Sequence, residues 1–305
     1  MVARVEEDLG RSIPVNRHGL VHLVATDSEW QEWQPTVTAR QQAGLSLVPL
    51  QGEDLHRDYP FLPAQWIGAL VSPADRQVSP TVLTLALVEA AQRYGADFWF
   101  QTPVRRWVSQ GSRVTQVDTS QGTIHPGMVV LAAGLGSQPL AGIPLQAVKG
   151  EALKVFAPQI QILPVLTGVD LHIVPLDPGQ FWIGATVEFH PETGDPTPLG
   201  QTSLLERAGS ICPVLASATV VEHWAGHRPR PRQQRAPLLG FAPNLDNLVV
   251  ATGHYRNGVL LAAVSAAVVK DLILTGTTTH CHWPDFAPPP VHSPIPGSLG
   301  SPLGL

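Results

Sequence analysis

Apolar residues recur along this chain in two rhythms, and the rhythm changes element by element. Residues 15–24 (VNRHGLVHLV) read as two short strands around a His18-Gly19 turn. Residues 28–42 read as a helix opened by Ser28, with a thin apolar face. Ser79-Pro80 opens a second helix, because serine caps free N–H groups and proline is pre-set for the first helical position. Val82, Leu83, Leu85, Leu87, Ala90 and Ala91 give that helix an apolar side, and Gly95 ends it. Residues 97–100 read as a strand, continued over 101–107 beyond a break at Pro103. Residues 113–118 alternate apolar and polar, the period of a half-buried strand. Residues 128–133 (MVVLAA) form a continuous apolar run, which suits a parallel strand buried on both faces.

A strand-rich region follows. Residues 151–156, 171–176 and 181–188 read as strands, the last two joined by the turn Asp177-Pro178-Gly179. Residues 199–211 read as a helix and 220–224 as a strand. The short apolar strand 248–251 runs through Gly253-His254-Tyr255-Arg256-Asn257-Gly258 into a long helix, 259–274. The pattern is α/β or α+β, one sheet domain interrupted by another. The segment from Pro284 holds seven prolines in 22 residues and reads as a disordered extension, 284–305.

Composition narrows the function classes. The 305 residues are 44% hydrophobic and 14% charged, which suits a folded core. The net charge of −5 provides no global basic field for nucleic acid or anionic lipid. Two cysteines, Cys212 and Cys281, make neither a disulfide scaffold nor a cysteine zinc site. The longest apolar run, 259–269, is interrupted by Lys270 and Asp271, short of the ~20 residues that span a bilayer. The start MVARVEEDLGRSIPV has no apolar signal region. The expectation is a cytoplasmic protein with no membrane and no nucleic-acid partner.

Three segments carry candidate chemistry. Gly253 and Gly258 bracket a strand-to-helix turn whose helix N-terminus presents free N–H groups to an anion or a ring with developing negative charge. An ordinary loop needing two glycines is the competing reading. Residues 133–139 (AGLGSQP) follow a buried strand and hold the first two glycines of G-x-G-x-x-G, but Pro139 occupies the third position and prevents close helix packing. Residues 224–229 (WAGHRP) place Arg228 at a strand exit, where a guanidinium can pair bidentately with a carboxylate or simply face solvent. Arg230, Arg232 and Arg235 follow; as an RNA contact they lack interleaved aromatics. His280 and His282 beside Cys281 lack a fourth metal ligand. Asp170 and His172 share a strand face.

The ordered segments VVLAAGLGSQPL (129–140), LQAVKGEALKV (145–155), HIVPLDPGQFWIGAT (172–186), WAGHRP (224–229) and GHYRNGVLLA (253–262) resemble the FAD-dependent amino-acid oxidases of the D-amino-acid oxidase superfamily, glycine oxidase type. The resemblance runs from about residue 15 to about 274. It implies an incomplete FAD-binding dinucleotide fold interleaved with a mixed-sheet substrate domain. FAD-domain parts would lie at about 78–145 and 236–275, and substrate-domain parts at about 13–77 and 146–235. It implies substrate-carboxylate contacts from Arg228 and Arg256, with His172 where the family has a pocket tyrosine. Flavin contacts are implied for His254, Tyr255, Arg256, Asn257, Gly258, Val259 and Leu260. Val104 would lie on the adenine side, and Gly134 in the strand-end turn. FAD, a small amino acid and oxygen are the implied cofactor and partners, with a possible homo-oligomer and a place in thiamine biosynthesis. The family's opening strand and G-x-G-x-x-G helix are not in this sequence, and the resemblance implies a start roughly 70 residues into the family pattern. Two readings stay open: an oxidase of glycine or another small amino acid, and a catalytically inactive remnant or gene-model fragment of one.

Overall fold

The computed structural model describes residues 1–293. The chain opens with α1 (Val2–Leu9), β1 (Val15–Asn16), β2 (Leu20–Val24), α2 (Asp27–Gln42), β3 (Val48–Gln51) and α3 (Gly52–Asp58). Next come β4 (Gly68–Ser72), β5 (Gln77–Val78), α4 (Pro80–Arg93), β6 (Val104–Gln110), β7 (Arg113–Thr119), β8 (Thr123–Ile124), β9 (Val129–Leu131) and the short α5 (Ser137–Ala141). The second half holds β10 (Leu145–Phe156), β11 (Val165–Gly168), β12 (Leu171–Pro175), β13 (Gln180–Gly184), α6 (Pro198–Ile211), β14 (Thr219–Pro231), β15 (Leu238–Phe241), β16 (Leu248–Thr252) and α7 (Gly258–Thr275). The mixed α/β class read from the sequence holds.

An eight-stranded sheet dominates, in the order β14-β10-β13-β12-β11-β2-β4-β3. Its pairs are antiparallel except β11 with β2. Alternation along these strands gives the sheet two unlike faces. One face carries Val21, Leu153, Leu166, Ile173 and Ile183 into a core closed by Leu204, Ala208 and Ile211 of α6. The other carries a row across six strands: Trp224, Ala152, Gly184, His172, Thr167 and His22 are successive register partners from β14 to β2. That second face holds the candidate site. A smaller sheet, β15-β16-β9, has β16 and β9 parallel and packs against α7 through Leu239, Val268 and Leu272.

Several local expectations change. Thr26, not Ser28, caps α2: its Oγ1 accepts from the Glu29 N–H at 3.2 Å, while the Glu29 carboxylate accepts from the Ala25 N–H at 2.9 Å. That reciprocal pair satisfies two free donors, which Ser28 one residue inside the helix cannot do. Residues 97–100 form no strand, because no neighbouring strand pairs with them; Phe98 and Phe100 stack at 5.8 Å on the surface instead. The run 128–133 yields a three-residue strand with Val130 42% exposed, since β9 is the edge of its sheet and only one side is covered. The 181–188 strand stops at Gly184, leaving Glu188 in an isolated bridge to Lys149.

The disordered extension expected from 284 is corrected for its first part. Phe286 packs against the Leu239, Val268 and Leu272 cluster, Val291 is buried, and the Val291 N–H and carbonyl both bond Asn244. Apolar and aromatic anchors between the prolines hold this stretch down, which a count of prolines does not reveal. The remainder of that expectation lies outside the described residues. Helix α7 is also longer than the apolar run suggested. At 18 residues and mean hydropathy 1.9 it is long and apolar enough to cross a membrane by length and composition alone. Here it lies against β15 and β16.

Candidate active site

The site is built where the second face of the large sheet meets the β16–α7 loop. The loop backbone turns sharply: Gly253 has φ +75° and Tyr255 has φ +52°. A Cβ on Gly253 would stand 2.6 Å from Pro231, so the close approach of loop and β14 itself requires glycine. The Tyr255 N–H donates to the Pro229 carbonyl at 3.1 Å, binding the loop to the end of β14. Arg230 adds to this clasp, its guanidinium lying 5.3 Å from the Phe189 ring centroid and 6.0 Å from that of Tyr255. Loop residue Arg256 and strand residue Arg228 are thereby brought to one cavity.

That cavity measures about 910 Å³. Arg228, Arg256, His172, Tyr255, Asn257, Gly258 and Val259 line it, together with Ala152, Val174, Trp182, Gly184, Val187 and Trp224. The strand beneath Arg228 carries no side chain by necessity: a Cβ on Gly150 would sit 2.2 Å from the guanidinium. Trp182 and Trp224 meet edge to face at 6.3 Å and form an apolar wall.

The Arg228 guanidinium is half-buried and donates through Nη1 to the carbonyls of Lys149, at 3.3 Å, and Thr186, at 3.2 Å. Among the described residues it has no carboxylate within ion-pair distance. Burial, then the charge of Arg256, pushes its pKa down from the ordinary arginine value. Two neighbouring cations, one desolvated and neither neutralised, raise the potential at this point, and an anion relieves it. The His172 imidazole is pushed down by burial first and by Arg256 second, with His22 adding to the effect. It therefore faces the cavity as a neutral ring that can both donate and accept.

The structure brings together most of the residues singled out from sequence. His172, Arg228, Tyr255, Arg256, Asn257, Gly258 and Val259 share the cavity. His254, Leu260, Val104 and Gly134 lie outside its lining. His254 bonds Ser265 of α7 through Nε2 at 2.8 Å, fixing the helix start, and burial pushes its pKa down. Leu260 is 80% exposed at the helix opening. Val104 begins β6, and Gly134 accepts from the Thr252 hydroxyl at 3.1 Å, joining the ends of β9 and β16. Sequence reasoning missed Trp182, Trp224 and Gly184. Their signal was the strand alternation that places them with His172, readable only once the register is known.

A family model described as FAD dependent oxidoreductase matches residues 1–272, and the chain belongs to that family. It is 36% identical over 233 residues to the bifunctional protein ThiO/ThiG of Synechocystis sp., covering 74% of this chain and 35% of that protein. The chain thus spans about a third of the length of that relative. It is 32% identical over 278 residues to a glycine oxidase of Pseudomonas aeruginosa, covering 88% of this chain and 74% of the relative. The crystal structure of glycine oxidase from Geobacillus kaustophilus superposes with a TM-score of 0.85 at 29% identity, covering 94% of this chain and 78% of that one.

The family's cofactor is FAD, and the residues can be tested against it. At the loop end the fit is good: α7 begins without a side-chain cap, and a Cβ on Gly258 would meet nothing closer than His254 at 3.9 Å. Flat, open backbone with free N–H groups suits an electron-accepting ring. At the turn after β9, Gly134 has φ +55° with open space about it. The buried Ser137 Oγ nearby has no partner among the described residues. A G-x-G-x-x-G loop for the pyrophosphate is not among the segments of this sequence.

Proposed function

We propose that this chain carries the substrate site and the ring-facing loop of an FAD-dependent oxidase of small amino acids, glycine being the simplest candidate. The carrying observation is the half-buried Arg228 guanidinium, without a carboxylate partner among the described residues, facing the same cavity as Arg256. The relatives named glycine oxidase support the reading. A place in thiamine biosynthesis belongs to the same proposal.

In this mechanism Arg228 and Arg256 hold the substrate carboxylate, and Gly150 leaves room for the Arg228 guanidinium to lie on the strand backbone. Neutral His172 accepts a hydrogen bond from the amine, which binds in its neutral form after giving its proton to solvent. Trp182 and Trp224 exclude water from the α-carbon. Residues 254–260, with Gly258 at their turn, would present backbone N–H groups to the cofactor ring; Val104 and Gly134 would serve its adenine side and the strand-end turn. FAD, when bound, would supply a two-electron acceptor for substrate oxidation, with oxygen as the terminal oxidant and hydrogen peroxide as its product. The imine product takes up water and gives a keto acid and ammonia. Chemistry of this kind asks mainly for orientation, and the protein groups provide it.

The test is spectroscopic. The 305-residue chain, purified with FAD and desalted, should keep visible flavin bands that glycine bleaches in the absence of oxygen. In Arg228→Ala the flavin content should be unchanged and KM should rise about 100-fold, the scale of a lost charge-assisted carboxylate contact. Loss of flavin with an unchanged KM would overturn the role given to Arg228. A colourless chain would limit the proposal to substrate binding.

A further inference from the structure

Directly behind the arginine lies a group of buried charges that the proposed chemistry does not use. Lys149 and Glu151 flank Gly150 on β10 and point to the opposite face of the sheet. Lys149 is 1% exposed and Glu151 is fully buried. The Glu151 carboxylate accepts four hydrogen bonds. Lys149 Nζ at 2.7 Å and the Thr197 hydroxyl at 3.0 Å reach Oε1; the Thr197 N–H at 3.0 Å and His223 Nε2 at 2.8 Å reach Oε2. Lys149 also meets Glu188 at 3.3 Å, and Glu188 accepts from the Thr186 hydroxyl at 2.6 Å. Helix α6 is shaped around this group, for a Cβ on Gly200 would stand 2.0 Å from Glu151 Oε2.

A buried ion pair is a weak source of stability, since apolar residues of similar volume often serve a core as well or better. What such a pair provides is fixed geometry. Here that geometry has a clear beneficiary. The two carbonyls that receive the Arg228 guanidinium belong to Lys149 and Thr186. The Lys149 peptide is pinned by reciprocal bonds with Glu188, both at 2.9 Å. Thr186 is pinned by its N–H to the Glu151 carbonyl at 3.1 Å and by its hydroxyl to the Glu151 N–H at 2.8 Å. Both acceptors are thus clamped by the residues that make the ion pair.

We propose that the Lys149–Glu151 pair, with Thr197 and Glu188, is a positioning unit for Arg228: it holds two backbone carbonyls so that the guanidinium is presented, already ordered, to a substrate carboxylate. This rests on the reading of Arg228 as the carboxylate anchor. The unit acts through the backbone and touches no substrate.

The experiment uses the full chain and acetate as the carboxylate probe, followed by ¹⁵N NMR of arginine side chains and by titration. The Arg228 Nε–H signal should be sharp and slow to exchange in the wild type. The apolar replacement Lys149→Met with Glu151→Leu should keep the melting temperature within a few degrees, broaden that signal and weaken acetate binding at least tenfold. Glu151→Gln is the milder second variant, with the same direction and a smaller loss. In the oxidase assay, KM for glycine should rise while kcat stays within about twofold. A folded double variant with an unchanged Arg228 signal and unchanged acetate affinity would overturn the positioning role. Acetate binding that survives Arg228→Ala would overturn the carboxylate site itself, and the proposal with it.

Discussion

The two faces of the large sheet put charges to opposite uses. Behind β10, Lys149, Glu151, His223 and Thr197 satisfy one another in a closed group under α6. In front, Arg228 and Arg256 face a cavity with no carboxylate between them among the described residues. The same strand serves both, its odd positions turned to the paired charges and Gly150 and Ala152 turned to the unpaired ones. Charges that a fold needs for itself are neutralised within it. A desolvated cation left without a partner is maintained against its electrostatic cost, and that marks a site.

The comparison can be broken first from the rear. Gly200→Ala drives a Cβ into the Glu151 carboxylate, and the four hydrogen bonds that hold this carboxylate leave little room for relief. We expect a loss of at least about 3 kcal/mol, the scale of a broken buried charge network. Calorimetry against the wild type checks it, and a melting temperature unchanged within a degree would show that α6 shifts without cost.

Acid provides the next test. The Lys149 ammonium and the N–H and O–H donors around Glu151 outweigh its burial and hold its pKa down at about 2. A carboxyl whose folded pKa is depressed stabilises the fold above its unfolded pKa, and that stability is lost as pH falls toward the folded value. The wild type should therefore lose on the order of 3 kcal/mol more than Glu151→Gln between pH 5 and pH 2. Denaturant titrations at both pH values measure the difference, and parallel losses in the two proteins would remove Glu151 from the account.

The front face yields the smallest effect. Gly150→Ala places its Cβ against the end of a flexible arginine side chain, which can move aside. The fold should survive with its melting temperature nearly unchanged, while carboxylate affinity falls about tenfold, or roughly 1.4 kcal/mol. Equal loss of stability and affinity would mean that the two faces are not separable in this way.

Much of this molecule was legible in its residues. Ser79-Pro80 opens α4 as read, and the Asp177-Pro178-Gly179 turn joins β12 to β13. The arginine of WAGHRP and the turn HYRNG do meet at one cavity. Failures came where a local signal depended on a neighbour. The aromatic stretch 97–100 has strand propensity and no partner strand. The proline-rich stretch after 284 is tied down by Val291, which bonds Asn244. The motif VKGE gave no hint that its lysine and glutamate pair with each other, because residues two apart on a strand meet only when nothing else separates them and water is excluded.

Local chemistry decides what a few neighbouring residues do by themselves: caps, turns, strand periods, and the glycine at a left-handed corner. The sequence by itself therefore determined the α/β pattern, the strand-to-helix loop at 253–258 and the arginines worth testing. Only the tertiary structure decided which charges are partnered. Pairing and desolvation depend on what arrives from other strands and helices, and cross-strand register sets Trp224, Gly184 and His172 in one row while placing Glu151 behind them.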